Sequence, residues 1–360
     1  MIVYISAIII SIFFAYLAVL SKIRNKYKLA KSDISYNIIY KIFAVISFLP
    51  LFLVSAFRYY VGTDYFPRYV LGLLEVKSGN KNVYEIGFRM FNKLILMFTD
   101  DYAWLFIITS FIFCAFIYKT IYEQSVDVCF SILLLLITNS YFISMNAVRQ
   151  SICIAIFMYS IKYIKQGNLL KYMICICIAA TIHISSLIYI PVYFISKIKI
   201  NVKIHMCILA LIVVFSPLIS KIFIYIVLRT KYAFYFSTSF NTGNISFWKL
   251  LINISVLLLC YIMNSKIRED KYCTILINLQ FIAVILLMFS NHIPLMDRVV
   301  MYFTFLQILL LPRIISYIRL NWVRFNVKAC IISFYTIYMI NTIIVRGYEG
   351  VLPYQTIFTR

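Results

Sequence analysis

Glycine and proline are scarce in this sequence, at 8 and 7 of 360 residues, and acidic residues number 12 against 34 lysines and arginines. The first scarcity, together with the lack of barrel-type alternation, argues against an outer-membrane β-barrel. The second leaves few carboxylates to pair. The chain has no cluster of metal-ligand residues, no glycine-rich phosphate loop and no Asp-x-Asp pair in a long polar loop. Asp100 and Asp101 adjoin an apolar run and read as its solvated end. Charge is also sparse. Charged residues make up 13% of the chain and hydrophobic ones 64%, whereas soluble domains hold roughly 25% and 45–50%. That excludes an ordinary soluble domain. Residues 1–20 lack a basic leader and a small-residue cleavage site, so they are expected to form a first span rather than a cleaved signal peptide.

What is present is a recurring apolar run of about 20 residues, the length that crosses a bilayer as a helix. The expected class is all-α: a polytopic integral membrane protein, read as a single membrane domain over residues 1–360. A net charge of +22 would suggest nucleic acid in a soluble protein. Here lysines and arginines gathered in cytoplasmic loops explain it, and no nucleic-acid partner is expected. The nine cysteines fall in or beside apolar runs and read as reduced packing residues, without metal or disulfide.

The basic loops set the expected topology. Spans near 2–20 and 38–57 enclose Lys22, Arg24, Lys26, Lys28 and Lys31, which puts the N-terminus outside. An outer loop at 58–101 follows, with an amphipathic interfacial helix near 85–98. Further spans are read near 102–118, 128–144 and 146–164. Residues 172–196 are flanked by lysines on both sides, so they are expected to enter and leave from the cytoplasm as a short helical hairpin with His183 at its tip. Spans near 204–227, 248–263, 272–290, 299–311 and 329–345 complete about ten, or 11–12 hydrophobic helices with the hairpin. They leave an outer loop at 228–247 and an outer tail at 346–360, so both termini lie outside. This arrangement puts roughly 20 basic residues inside against about 14 outside or at outer span ends.

Polar groups then converge on the outer face: Arg58 with Asp64, Arg149, His183, Arg298 and the tail with Tyr348 and Glu349. An ionisable group at membrane depth is costly, and so reads first as functional. Guanidinium forks match diphosphate oxygens, although each arginine has the alternative of reaching a lipid headgroup. Arg149 is the best candidate, in ISMNAVRQSI and outside any basic cluster. Asp64 reads as an ion-pair partner of Arg58 or Arg68, or as a proton acceptor. His183, among Thr181, Ser185 and Ser186, reads as a base at a solvated tip, or as a packing residue. His205, beside a basic inner loop, reads as structural, and His292, in an ordinary turn, is a weaker candidate than His183.

These residues stand in runs that resemble the EpsG family of Wzy-like polymerases of bacterial exopolysaccharide and O-antigen. The runs are Arg58 with VGTDY, YEIGF (84–88), NAVRQSICIAIF (146–157), HISSLIYIP (183–191) and Arg298 with Tyr302. The resemblance implies a glycosyltransferase of the cytoplasmic membrane, acting at its outer face. It would pass a glycan from undecaprenyl diphosphate to a lipid-linked repeat unit, without cofactor or metal. Implied partners are the lipid-linked oligosaccharide, membrane lipid, a chain-length regulator and a flippase. Arg58, Arg149 and Arg298 would then hold the diphosphate, His183 or Asp64 would assist the acceptor hydroxyl, and Tyr65, Tyr302 and Tyr348 would stack on sugar. An O-antigen ligase, a lipid-linked oligosaccharide flippase or other transporter, and a membrane acyltransferase are the rival readings.

Overall fold

The computed structural model describes residues 1–27, 33–199, 201–229, 233, 247–263, 267, 269–290, 293 and 296–359. The expected loop at 228–247 and His292 lie almost wholly outside these residues. Helices follow one another as α1 (Ile2–Tyr27), α2 (Asp33–Ala56), α3 (Leu71–Lys77), α4 (Ile86–Leu96), α5 (Ala103–Gln124), α6 (Val128–Ile137), α7 (Ser140–Asn146), α8 (Val148–Lys165) and α9 (Leu169–Ile182). Then come α10 (Val192–Ile195), α11 (Val202–Val227), α12 (Phe247–Ile262), α13 (Lys271–Met288), α14 (Met296–Thr304), α15 (Gln307–Ser316) and α16 (Asn321–Met339). No strand occurs among the described residues, only one antiparallel bridge between Arg58 and Thr356.

Six of these helices are long and apolar enough to cross a membrane, and up to eight spans result if each bent pair counts as one. The all-α, polytopic character expected from the sequence is therefore present, but not ten spans. Three physical reasons account for the difference. Asn139 takes a left-handed conformation (φ 66°), and the chain bends by 54° between α6 and α7. α8 starts beside Arg149, ends on Lys162 and Lys165, and is almost entirely buried in protein rather than lipid-facing. α12, at 16 residues, rises only about 24 Å, short of the roughly 30 Å hydrocarbon core.

The chain forms two compact units, one of residues 1–190 with 325–360 and the other of residues 191–324. In the first, α1 and α2 pack as an antiparallel pair against α5, and α8 packs between α5 and α9. Hydroxyls stitch the spans together: Ser11 donates to the Ser47 carbonyl oxygen (2.6 Å), Ser11 pairs with Tyr118, and Ser47 pairs with Tyr122 at 2.7 Å. In an apolar solvent such bonds replace water for groups that would otherwise be unsatisfied. Asp127 and Asn168 cap α6 and α9 by accepting from the backbone N–H groups of Phe130 and Lys171.

In the second unit, α11 is almost wholly exposed apolar surface, while α13 is the buried centre. A triad of amides, Asn253, Gln280 and Gln307, joins α12, α13 and α15 inside this apolar packing. Asn253 Oδ1 accepts from Gln280 (3.1 Å) and Gln307 (3.0 Å), and Gln307 also donates to Gln280 (3.1 Å). The chain bends by 41° between α14 and α15, next to Gln307. His205 stacks on Phe281 (4.0 Å) and shares a hydrogen bond with Tyr261, in keeping with the structural role expected for it.

Candidate functional site

One end of the first unit carries the junction between α7 and α8, the last turn of α9 and the loop between α2 and α5. α9 ends at His183, whose backbone is extended (φ −151°), and a 3-10 segment, Ile184–Tyr189, follows. The chain reverses here, since the Tyr172 hydroxyl near the start of α9 donates to the Tyr189 carbonyl oxygen. His183 thus stands at a turn. α8 begins one residue before Arg149, after Ala147 interrupts the helix.

Glu85 joins the two. It is the residue preceding α4, and its carboxylate accepts from His183 Nδ1 (2.8 Å), from the Ile184 backbone N–H (3.3 Å) and from Arg149 Nη1. Gly87 makes the approach feasible. A Cβ there would lie 2.4 Å from Thr181 Oγ1 and 2.8 Å from the Thr181 carbonyl oxygen, so only glycine lets the first turn of α4 press against the last turn of α9. The Arg149 guanidinium sits over the rings of Tyr84 (4.8 Å) and Phe88 (5.7 Å), and its backbone N–H donates to the Tyr69 hydroxyl (3.4 Å). Its side chain is nearly buried, whereas those of Glu85 and His183 keep about a quarter of their surface open, at 23% and 26%. Burial alone would raise the Glu85 carboxyl, but the hydrogen bond with His183 and the charge of Arg149 outweigh it and hold it down to about 2.

Arg58 is set differently. It is fully buried, donates through Nη1 to the Ser55 carbonyl oxygen, to Ser55 Oγ (3.1 Å) and to Ser110 Oγ (3.0 Å), and through Nη2 to the Met145 carbonyl oxygen (3.3 Å). Its guanidinium lies 4.8 Å from the centre of the Phe106 ring. These bonds tie the end of α2 to α5 and α7. Asp64 begins a π-helical turn, Tyr65–Val70, and its backbone N–H donates to Asn146 Oδ1 at 3.2 Å. Gly62, with φ 109°, is required beside it, because a Cβ would meet that same oxygen at 2.8 Å. Asn146 also donates to the Glu349 carbonyl oxygen (2.7 Å), and the Gly62 N–H donates to Gly350 (2.9 Å), so the tail straps the loop. Tyr65 is buried and stacked on Phe106 (3.9 Å), while Tyr348 is half exposed.

The structure therefore brings Arg149 and His183 onto one carboxylate, and sets Arg58, Asp64 and the tail in the adjoining framework. Arg298 and Tyr302 belong to the second unit, in the first turn and the buried face of α14, with Asp297 bonded to Lys249 at 2.6 Å. Sequence reasoning missed the position of Glu85 between Arg149 and His183; in the sequence it reads as the polar side of an amphipathic helix. Its signal was rarity: it is one of 12 acidic residues, and Gly87 lies two positions on in YEIGF.

The fold and cluster define a polytopic α-helical membrane protein with a polar site at the end of its spans. A sequence model of the EpsG family matches residues 41–356, and the chain belongs to that family, one of polysaccharide-polymerase-type membrane proteins. No curated protein and no solved structure matches the chain.

Proposed function

We propose that this protein is a polysaccharide polymerase of the bacterial cytoplasmic membrane. It transfers a growing glycan from undecaprenyl diphosphate to the terminal hydroxyl of a second lipid-linked repeat unit. The observation that carries the reading is the convergence of Arg149 and His183 on Glu85 at the end of the spans. His183 takes the proton from the acceptor hydroxyl as its oxygen bonds to the anomeric carbon. The bond from that carbon to the diphosphate breaks, and the lipid diphosphate leaves with the electron pair. Arg149 faces the developing charge; its Nε, like that of Arg58, is buried without a partner among the described residues. A guanidinium packed on aromatic rings is already desolvated, which strengthens its pull on phosphate.

Arg58, whose Nη1 and Nη2 donate to protein acceptors, serves in this reading as a brace for the loop rather than as a ligand of the diphosphate. Asp64 shapes the turn beside it. The site faces outward, with both termini on the same side. Supporting this orientation, Lys22, Arg24, Lys119, Lys162, Lys165, Lys171 and Lys328 fall at the far ends of the helices that carry or surround the site. A flippase and a chain-length regulator are the expected partners.

The test is the glycan profile of a strain lacking the gene. Collapse of the ladder to a single repeat unit supports a polymerase. Loss of surface glycan with the lipid-linked polymer retained would instead mark a ligase.

A further inference from the structure

We infer that Glu85 is the positioning residue of this site, selecting the ring form in which His183 holds its proton on Nδ1 and presents Nε2 to the acceptor; this rests on the polymerase reading above. Three donors meet one carboxylate: His183 Nδ1 and the Ile184 N–H on Oε1, and Arg149 Nη1 on Oε2. An ionised carboxylate is an acceptor at both oxygens and satisfies all three. The backbone N–H and the guanidinium cannot change role, so an acceptor is imposed at both positions. The ring nitrogen bonded to Oε1 is then a donor, and the other nitrogen is left with its lone pair. His183 Nε2 has no partner among the described residues. The same arrangement spaces Arg149 from the ring, so the groups that meet the leaving diphosphate and the attacking hydroxyl are held by one side chain.

Glutamine cannot replace it. Turned one way, its NH₂ opposes Arg149; turned the other, it opposes the Ile184 N–H and forces His183 Nδ1 to accept, which moves the ring proton to Nε2. The two nitrogens are distinguishable by nitrogen NMR.

The experiment uses the full chain in lipid nanodiscs, labelled with ¹⁵N-histidine. There are three histidines, and the His183 signal is identified by its loss in H183Q. In the wild type the neutral ring is expected as the Nδ1–H form. In E85Q an acceptor is no longer imposed beside Nδ1, and the Nε2–H form is expected to rise to a share at least comparable with the Nδ1–H form. E85D, one methylene shorter, restores part of the wild-type signal and keeps the comparison valid if E85Q folds poorly. With lipid-diphosphate-linked repeat units supplied, E85Q loses on the order of 10²-fold in kcat with KM changed by only a few-fold. An unchanged His183 tautomer in E85Q overturns the inference, as does a wild-type kcat in a variant whose tautomer has switched. If the wild type extends no glycan, the polymerase reading fails, and the NMR comparison alone decides whether Glu85 sets the ring.

Discussion

Arginines in similar sequence settings do different work here. Arg149 and Arg58 each follow an apolar stretch beside polar residues, and the sequence reads both as diphosphate ligands. Arg58 sends its guanidinium into Ser55, Ser110 and Met145, the last of them 87 positions away in the chain. No local pattern reveals that. Arg149 and His183 were legible because each is a costly group in an apolar run. Glu85 was not, since its contact with His183 spans 98 positions and exists only once α4 rests on α9. Two outcomes separate the arginines. R149A is expected to leave protein levels normal and polymer absent, whereas R58A is expected to lower the thermal midpoint and the amount of protein, because several charge-assisted bonds of about 1.5–3 kcal/mol each are lost. Gly87→Ala is expected to cost on the order of 10²-fold in polymerisation rate by displacing Glu85. Replacing Thr181 should not rescue it fully, because the Thr181 carbonyl oxygen is also 2.8 Å from the added carbon. The carboxyl of Glu85 is held down to about 2 in the fold from an ordinary 4.5. A group lowered on folding contributes stability that is complete above the unfolded value and disappears as pH falls through the folded one. The stability gap between wild type and E85A should therefore narrow as pH drops from about 4.5 toward about 2, as unfolding curves at several pH values would register.

At the scale of elements, hydropathy finds helices but not their breaks. The helix break at His183 falls where the lysines on both sides of 172–196 lead the sequence to be read as a hairpin with His183 at its tip. The bend between α6 and α7 was not readable, because it depends on a left-handed Asn139 inside a continuous apolar run. Nor was the burial of α8, since a helix hydrophobic on all sides can face lipid or protein equally well. The second unit holds the clearest element-scale feature that the sequence conceals, the triad of Asn253, Gln280 and Gln307. Each amide is one polar residue in a different apolar helix, and only packing reveals that they share a point. Gln280→Leu is expected to lower unfolding stability by about 1–2 kcal/mol, through the groups it leaves unmatched on Asn253 and Gln307.

The whole molecule is a membrane protein of the EpsG family whose first unit carries a compact polar cluster at one end and a set of basic residues at the other. Orientation is testable through exposed positions at those ends, in a background without reactive native cysteines. Ser78→Cys, in the loop between α3 and α4, should be labelled by an impermeant maleimide in intact cells. Gln166→Cys, just beyond α8, should be labelled only after permeabilisation. The central claim, that Arg149 and His183 carry out glycan transfer, is tested most directly by purified protein in liposomes given undecaprenyl-diphosphate-linked repeat units. The account predicts that the wild type builds a ladder of lengths, while folded R149A and H183A leave the substrate at one repeat. A wild-type ladder from either folded variant would contradict it.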